Sequence, residues 1–191
     1  IKMSKLVPGQ EVMFYETPCV FLEERKEGLF VIAKEQLKVV FGSDNNFKKS
    51  DLNTFLNGKY LNELTCGNIE TVVTRDVDLT DLNGSKQYGS CECKVAPLTF
   101  DEIRCFHGLL PKPKSWEWSA TPWSTPCVNG DDTWVVALYT DGSVSDYSCA
   151  DTHGTRPAFI ISYEYFKNSK KDLSHYSDEE LINELYKRHS M

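Results

Sequence analysis

The sequence lacks any long apolar run. Its longest apolar segments, 29–33 and 134–139, have the length of single β-strands, whereas a membrane-spanning helix needs about 20 consecutive apolar residues. The N-terminal residues also lack the run of about seven or more apolar residues at the centre of a secretory signal peptide. These absences predict a chain with no membrane span and no secretion signal, and we expect it in the cytoplasm.

Lysine and arginine are absent between Lys114 and Arg156. The same stretch contains all four tryptophans and six carboxylates, while the rest of the chain is nearly balanced, with 22 acids against 21 bases. An acidic, aromatic surface attracts a basic partner and repels the phosphate backbone of nucleic acid. The stretch therefore predicts a partner protein with a basic surface and argues against direct nucleic-acid binding.

Known catalytic motifs are absent as well. The sequence has neither a Gly-x-Ser-x-Gly nucleophile turn nor a Walker-type phosphate loop, and its four histidines are scattered. The neighbouring Asp131 and Asp132 are more typical of a solvated loop than of an acid–base pair. The sequence therefore predicts a non-catalytic protein with no cofactor.

The seven cysteines form an odd set, which favours reduced thiols in a cytoplasmic compartment. Two pairs, Cys91 with Cys93 and Cys105 with His107, leave a zinc site open as an alternative. Structural zinc sites usually have two or more residues between paired ligands, and each pair here has one. The pattern favours buried or edge thiols.

The first half of the chain alternates strand and helix patterns. Strands are predicted over 10–15, 19–24, 29–33 and 69–73, and a polar loop over 76–90. A short helix is predicted over 50–58, with Ser50 as its N-cap and Gly58 at its left-handed C-terminal position.

The second half carries more specific turn signals. Thr99 and Glu102 have capping-box spacing and predict a helix to about residue 106. Asp141-Gly142 predicts a tight hairpin between strands at 133–140 and 143–147, and a further strand is predicted over 158–162. A second capping box at Ser177 predicts a C-terminal helix.

Five motifs occur in a recognisable order. Together they resemble a widespread uncharacterised domain family of gut bacteria, their phages and prophages. The motifs are Ser50-Asp-Leu-x-x-Phe-Leu-Asn57, Leu98-Thr-Phe-Asp-Glu102, Trp116-Glu-Trp-Ser-Ala-Thr-Pro122, the segment 135–142 and Gly154-Thr-Arg-Pro-Ala-Phe159.

This resemblance implies an α+β fold of C-type-lectin-like type, with a twisted antiparallel sheet, two short helices and a C-terminal helix. It is distantly similar to formylglycine-generating enzymes and to the variable proteins of diversity-generating retroelements. We expect a domain over 5–165, followed by a linker and helix over 166–191.

One departure from the family pattern concerns the tryptophan motif. The family usually continues this motif with Leu-Arg-Ser, whereas Ser119 and Ala120 follow Trp118 here, so the usual buried arginine is missing. The motif around Arg156 is retained. We interpret Arg156 as structural, because its planar guanidinium can tie the last strand to carbonyls or to a carboxylate.

Three function classes follow. A metal enzyme related to the formylglycine-generating enzymes would have to bind copper through Cys127 and Cys149, whose spacing does not match that family's close pair. A glycan-binding or host-attachment protein would stack sugars on Trp123 and Tyr147, although the calcium-lectin motifs are absent. The third class is a non-catalytic protein-binding module.

The sequence favours the protein-binding module. With the resemblance to phage proteins, it suggests an inhibitor of a host defence nuclease, such as a CRISPR effector, acting in the bacterial cytoplasm. Trp116, Trp118 and Trp134 are expected in the core and Trp123 at the surface. The predicted contact residues are Trp123, Asp131, Asp132, Tyr139, Asp141, Asp146, Tyr147, Asp151 and His153.

Overall fold

A computed structural model describes residues 6–166 of the 191. These residues form an α+β fold made mostly of strands, with a few short helices. The strands are β1 (Glu11–Phe14), β2 (Thr17–Arg25), β3 (Gly28–Ala33), β4 (Leu37–Val40), β5 (Val72–Val73), β6 (Arg75–Asp78), β7 (Ser90–Cys93), β8 (Val95–Ala96), β9 (Glu117–Pro122), β10 (Trp134–Leu138), β11 (Val144–Ser148), β12 (Thr152–Thr155) and β13 (Ala158–Ser162).

The helices are short. Among residues 6–166, no helix has both the length and the apolar content that crossing a bilayer requires. The α-helices are α1 (Asp51–Phe55), α2 (Leu61–Leu64), α3 (Phe100–Phe106) and α4 (Pro126–Asn129).

The first large sheet has the order β1-β2-β3-β13-β5, and β8 also pairs with β13. Every residue of β3 is buried, as expected for a central strand covered on both faces. Gly28 opens β3 where a side chain has no room, since an added Cβ would lie 2.0 Å from the carbonyl oxygen of Ile161. This sheet thus joins an early strand directly to the last described strand.

The second sheet has the order β11-β10-β9-β12-β4. Its pairs are antiparallel except β12 with β9, which meet in parallel at Gly154 and Glu117. The four adjacent strands β11, β10, β9 and β12 all come from the stretch without lysine or arginine. That sequence feature therefore becomes one continuous part of the fold.

The helix at Ser50 begins as predicted, because the Ser50 hydroxyl accepts a hydrogen bond from the backbone N–H of Asn53. The predicted end at Gly58 is wrong. The helical path continues through a π-helical turn, Leu56–Tyr60, into α2. Leu56, Leu61 and Leu64 are buried, so core packing carries the helix past the glycine.

The capping box at Thr99 is confirmed. Its hydroxyl accepts from the N–H of Glu102, and the Glu102 carboxylate accepts from the N–H of Thr99. The same carboxylate receives Nη1 of the buried Arg75 at 2.6 Å. The cap therefore also ties α3 to β6.

The α+β class and the β10–β11 hairpin are confirmed, but other expectations are wrong. The predicted loop 76–90 is shorter, because its ends belong to β6 and β7, which pair as a separate hairpin. The single antiparallel sheet is replaced by two large sheets. The helix predicted from Ser177 lies outside the described residues.

Candidate functional site

A row of rings crosses one face of the second sheet. The ring of Trp116 lies 4.7 Å from that of Tyr139 and 4.6 Å from that of Tyr147, measured between centroids. His153 follows, 4.4 Å from Tyr147 and 4.7 Å from Trp118. This aromatic row brings together three of the predicted contact residues, Tyr139, Tyr147 and His153.

Strand alternation positions the row. Tyr147 of β11 pairs with Val135 of β10, and side chains directly opposite in a sheet share a face. Trp118 anchors the buried end of the row, with its indole N–H donating to the carbonyl of Val39 at 3.2 Å. Tyr139, just after β10, is 39% exposed, so the row runs from the core to solvent.

His153 contributes the imidazole of the row. Its Nε2 is buried and has no hydrogen-bond partner among the described residues. Burial lowers the pKa of His153 below its ordinary value, and the charge of Asp151 opposes this shift only in part. The imidazole is therefore neutral at pH 7 and packs as an aromatic ring.

The five predicted aspartates are spread along the β10–β11 hairpin rather than clustered. Asp141 lies in the turn, whereas Asp131, Asp132 and Asp151 lie beyond the opposite end of the two strands. Five residues separate the two ends, about 17 Å at the usual rise of a strand. Asp146 lies midway, on the face opposite the aromatic row because it alternates with Tyr147.

Among residues 6–166 these aspartates have no cationic partner, and two of them have a lowered pKa. Within the described residues none of them forms an ion pair with Lys, Arg or His. The Thr133 hydroxyl and N–H donate to Asp131 and hold the pKa of that carboxyl below its usual value. Ser143 lowers the pKa of Asp141 in the same way. Both carboxylates are therefore ionised at neutral pH.

Two of the tryptophan assignments change. Trp118 is 1% exposed, as expected for a core residue. Trp134, also expected in the core, is 40% exposed; it is the first residue of β10, whose remaining residues are buried. Trp123, expected at the surface, is half-buried, and its backbone N–H donates to the backbone carbonyl of Trp134.

The structural role of Arg156 is confirmed. Its Nε and Nη2 donate to the two carboxylate oxygens of Glu117 at 2.7 and 2.9 Å, and Nη1 donates to the carbonyl of Pro111. Gln36 adds a third donor to Glu117 at 2.7 Å. Glu117 directly follows Trp116 in the chain, so its pairing with Arg156 fixes the segment that carries the aromatic row.

Sequence reasoning missed a groove beside the hairpin turn. It has a volume of about 410 Å³ and lies between α3, the segment after it and the hairpin. Tyr139, Asp141 and Val144 line one side, and Arg104 and Lys112 lie on the other. The prolines at 111 and 113 indicated only that a helix ends there.

The cysteine pairs are not gathered into one metal site. The part of the chain that the structure describes contains no group of three or more His, Cys, Asp or Glu side chains placed to hold a metal ion. Cys91 and Cys93 are buried on β7, and a hydrogen bond with Cys93 lowers the pKa of the Cys91 thiol. Cys105 is exposed on α3.

The two cysteines considered for copper differ in burial. Cys149 is buried, which raises the pKa of its thiol, and its N–H donates to Thr133. Cys127 is exposed beside Ser85, at 3.0 Å between Sγ and Oγ, and hydrogen bonds with Ser85 and Thr125 lower its pKa. All seven cysteines are free thiols.

Comparison of the chain with models of protein families, with curated proteins and with solved structures finds no match.

Proposed function

We propose that this protein is a non-catalytic binding module for a partner protein with a basic surface. The observation that carries the proposal is spatial. Four adjacent strands of the second sheet come from a stretch without lysine or arginine, and the five aspartates of that stretch have no ion pair among residues 6–166. A surface with one sign of charge attracts the opposite sign and raises the association rate.

The aromatic row supplies the second requirement of an interface. Tyr139 and Tyr147 are held by Trp116 between them, so binding costs them little side-chain entropy. Tyrosine and tryptophan are the residues that most often carry binding energy at protein interfaces. The aspartates then steer the encounter, and Tyr139, the exposed ring of the row, contributes buried area.

The finer fold assignment remains a proposal, namely a C-type-lectin-like domain. It is supported by the way the motif segments bond to one another. The N–H of Phe100 donates to Thr121, and Arg156 donates to both carboxylate oxygens of Glu117. An inhibitor of a phage-defence nuclease, working through the basic groove that binds nucleic acid, is the specific case that the family resemblance suggests.

The experiment is affinity capture with a control variant that is matched in shape but lacks four of the negative charges. The immobilised chain is exposed to a bacterial lysate beside a variant carrying Asp131→Asn, Asp132→Asn, Asp141→Asn and Asp146→Asn. Asparagine retains the Oδ1 acceptor used by Thr133 and Ser143, so the variant changes charge and little else. We expect a basic protein that the wild type enriches and the variant does not.

The rate of association should then be measured for the captured protein. It should fall as salt rises from about 0.01 to about 0.15 M, because the Debye length shortens from about 30 to about 8 Å. A partner that binds both baits equally, or no partner that discriminates between them, would overturn the proposal. Retention on a glycan array that Trp123→Ala abolishes would favour the lectin alternative instead.

A further inference from the structure

Strand β11 forms one edge of the second sheet. Two bonds flank its pairing with β10: the N–H of Tyr139 donates to the carbonyl of Ser143, and the N–H of Cys149 donates to the carbonyl of Thr133. In an antiparallel pair, bonded and non-bonded residue pairs alternate. The odd-numbered residues of β11 therefore bond to β10.

The even-numbered residues direct their backbone groups away from the sheet. These are Val144, Asp146 and Ser148. The carbonyl of Ser148 accepts from the N–H of Asp151 in the following turn. For Val144 and Asp146, neither the N–H nor the carbonyl has a bonded partner among the described residues. A short ladder of donors and acceptors is thus open to an added strand.

The usual protections of such an edge are mostly missing here. Strand β11 contains no proline and no lysine, and its five pairs with β10 run in register without a bulge. Val144 is 39% exposed. The single charge on the edge is Asp146, so the edge repels acidic segments and attracts cationic ones.

We propose that β11 binds an extended, cationic segment of the partner protein by strand addition. This inference rests on the proposed function and specifies how the partner binds. The N–H and carbonyl of Val144 and of Asp146 pair with the added backbone. A lysine or arginine of that segment lies opposite Asp146, since opposite charges directly across two strands attract.

A second copy of this chain is a poor occupant of the same edge. Two β11 strands paired antiparallel about their centres would place one Asp146 opposite the other, and like charges in that position are destabilising. A nucleic acid is excluded by the same charge. The edge is therefore selective for a basic protein segment.

The first test uses a defined peptide. A peptide of about nine residues that alternates lysine with valine has the length and charge to cover β11. We expect it to slow amide hydrogen exchange at Val144 and Asp146, while Ser145 and Tyr147, already bonded to β10, change little. Two control peptides, one with glutamate for lysine and one with a central proline, should give no such protection. Absence of protection at Val144 and Asp146 would overturn the inference.

The second test separates the backbone from the charge. Asp146→Pro removes the outward N–H without removing a bond to β10, and proline is tolerated at such edge positions. It should weaken peptide binding about tenfold or more, whereas Asp146→Asn should weaken it only a few-fold. Hydrogen exchange on the wild type needs no variant, so it remains decisive should Asp146→Pro fail to fold.

The partner captured for the proposed function can separate a failure of strand addition from a failure of the binding function. If that partner binds Asp146→Pro as tightly as wild type but loses affinity for the four-asparagine variant, strand addition is wrong and the binding function stands. If the partner binds both variants as tightly as it binds the wild type, the proposed function fails as well.

Discussion

At the residue scale, the most buried ion pair among the described residues joins Arg156 to Glu117. Arg156 is 2% exposed and Glu117 5%. Arg156→Met would leave the Glu117 carboxylate buried with only Gln36 as a side-chain donor. We expect a loss of about 3–5 kcal/mol in the free energy of unfolding, measured by urea denaturation monitored with tryptophan fluorescence.

Two control variants show whether that loss comes from an unpaired charge. Arg156→Met combined with Glu117→Met should recover much of the stability, because a buried ion pair can often be exchanged for apolar side chains of similar volume. Lys114→Met, which breaks the exposed pair with Glu35, should change stability little. Equal losses in the single and double variants would contradict the explanation.

His153 makes a prediction about acid pH. Its pKa is lowered in the folded protein by burial, so the unfolded chain binds more protons in the interval below its ordinary value near 6.5. The free energy of unfolding should therefore fall as the pH drops through about 6.5. His153→Phe preserves a ring between Trp118 and Tyr147 and removes the proton.

The measurement is chemical denaturation at a series of pH values. Between about pH 5 and 7 the wild type should lose stability and His153→Phe should lose much less. Aspartates with lowered pKa, such as Asp131 and Asp141, lose their contribution only as the pH falls below their ordinary value of 3.8. The two windows are therefore separate, and parallel curves for the two proteins would count against a buried neutral His153.

At the element scale, two glycines should respond to alanine with opposite signs. Gly58 lies inside the helical path with open space around its Cα, so Gly58→Ala should stabilise the protein by about 0.5–1 kcal/mol. Gly142 has φ +89° in the β10–β11 turn, so Gly142→Ala should destabilise it by about 1 kcal/mol. Thermal unfolding of both variants is the measurement, and a destabilised Gly58→Ala would mean that the helix ends there after all.

The elements that the sequence predicts correctly are those with local causes. Thr99 and Ser50 cap their helices through their own side chains, and Asp141-Gly142 forms its turn from its own backbone preference. Gly58 misleads for the same reason. Its local preference favours an end, but burial of Leu61 and Leu64 outweighs it.

Strands β9 and β12 depend on distant partners instead. Ser119 and Thr121 of β9 are fully or almost fully buried, so the alternation of polar and apolar residues along this strand does not correspond to an exposed and a buried face. Ser119 is buried because its hydroxyl donates to the carbonyl of Val136. A polar residue satisfied by a strand 17 positions away cannot be recognised as core from its own neighbours.

The candidate site was predictable only in part, because its composition is a local property whereas its geometry depends on distant strands. Composition alone identified the stretch without lysine or arginine. The pairing of Tyr139 and Tyr147 across Trp116 depends on the register of β9, β10 and β11. Trp134 is exposed at the first residue of β10 while the rest of that strand is buried, and hydropathy does not report this difference.

At the scale of the whole molecule, the net charge of −7 opposes compaction. We expect moderate salt to raise the free energy of unfolding, because screening weakens repulsion among carboxylates that have no cationic partner. The same denaturation experiment on the four-asparagine variant should show a smaller gain. A decrease with salt in the wild type would mean that attractive pairs such as Lys34 with Glu11 outweigh the repulsion.

The position of β13 between β3 and the pair β5 and β8 has a consequence for synthesis on the ribosome. Residues 28–33 must wait for residues 158–162 to leave the exit tunnel before the first sheet can close. At an elongation rate of about 5–20 residues per second, that delay lasts several seconds or more. During it, the fully apolar β3 has a nascent hairpin partner on one side only, which makes this strand a natural client for a chaperone.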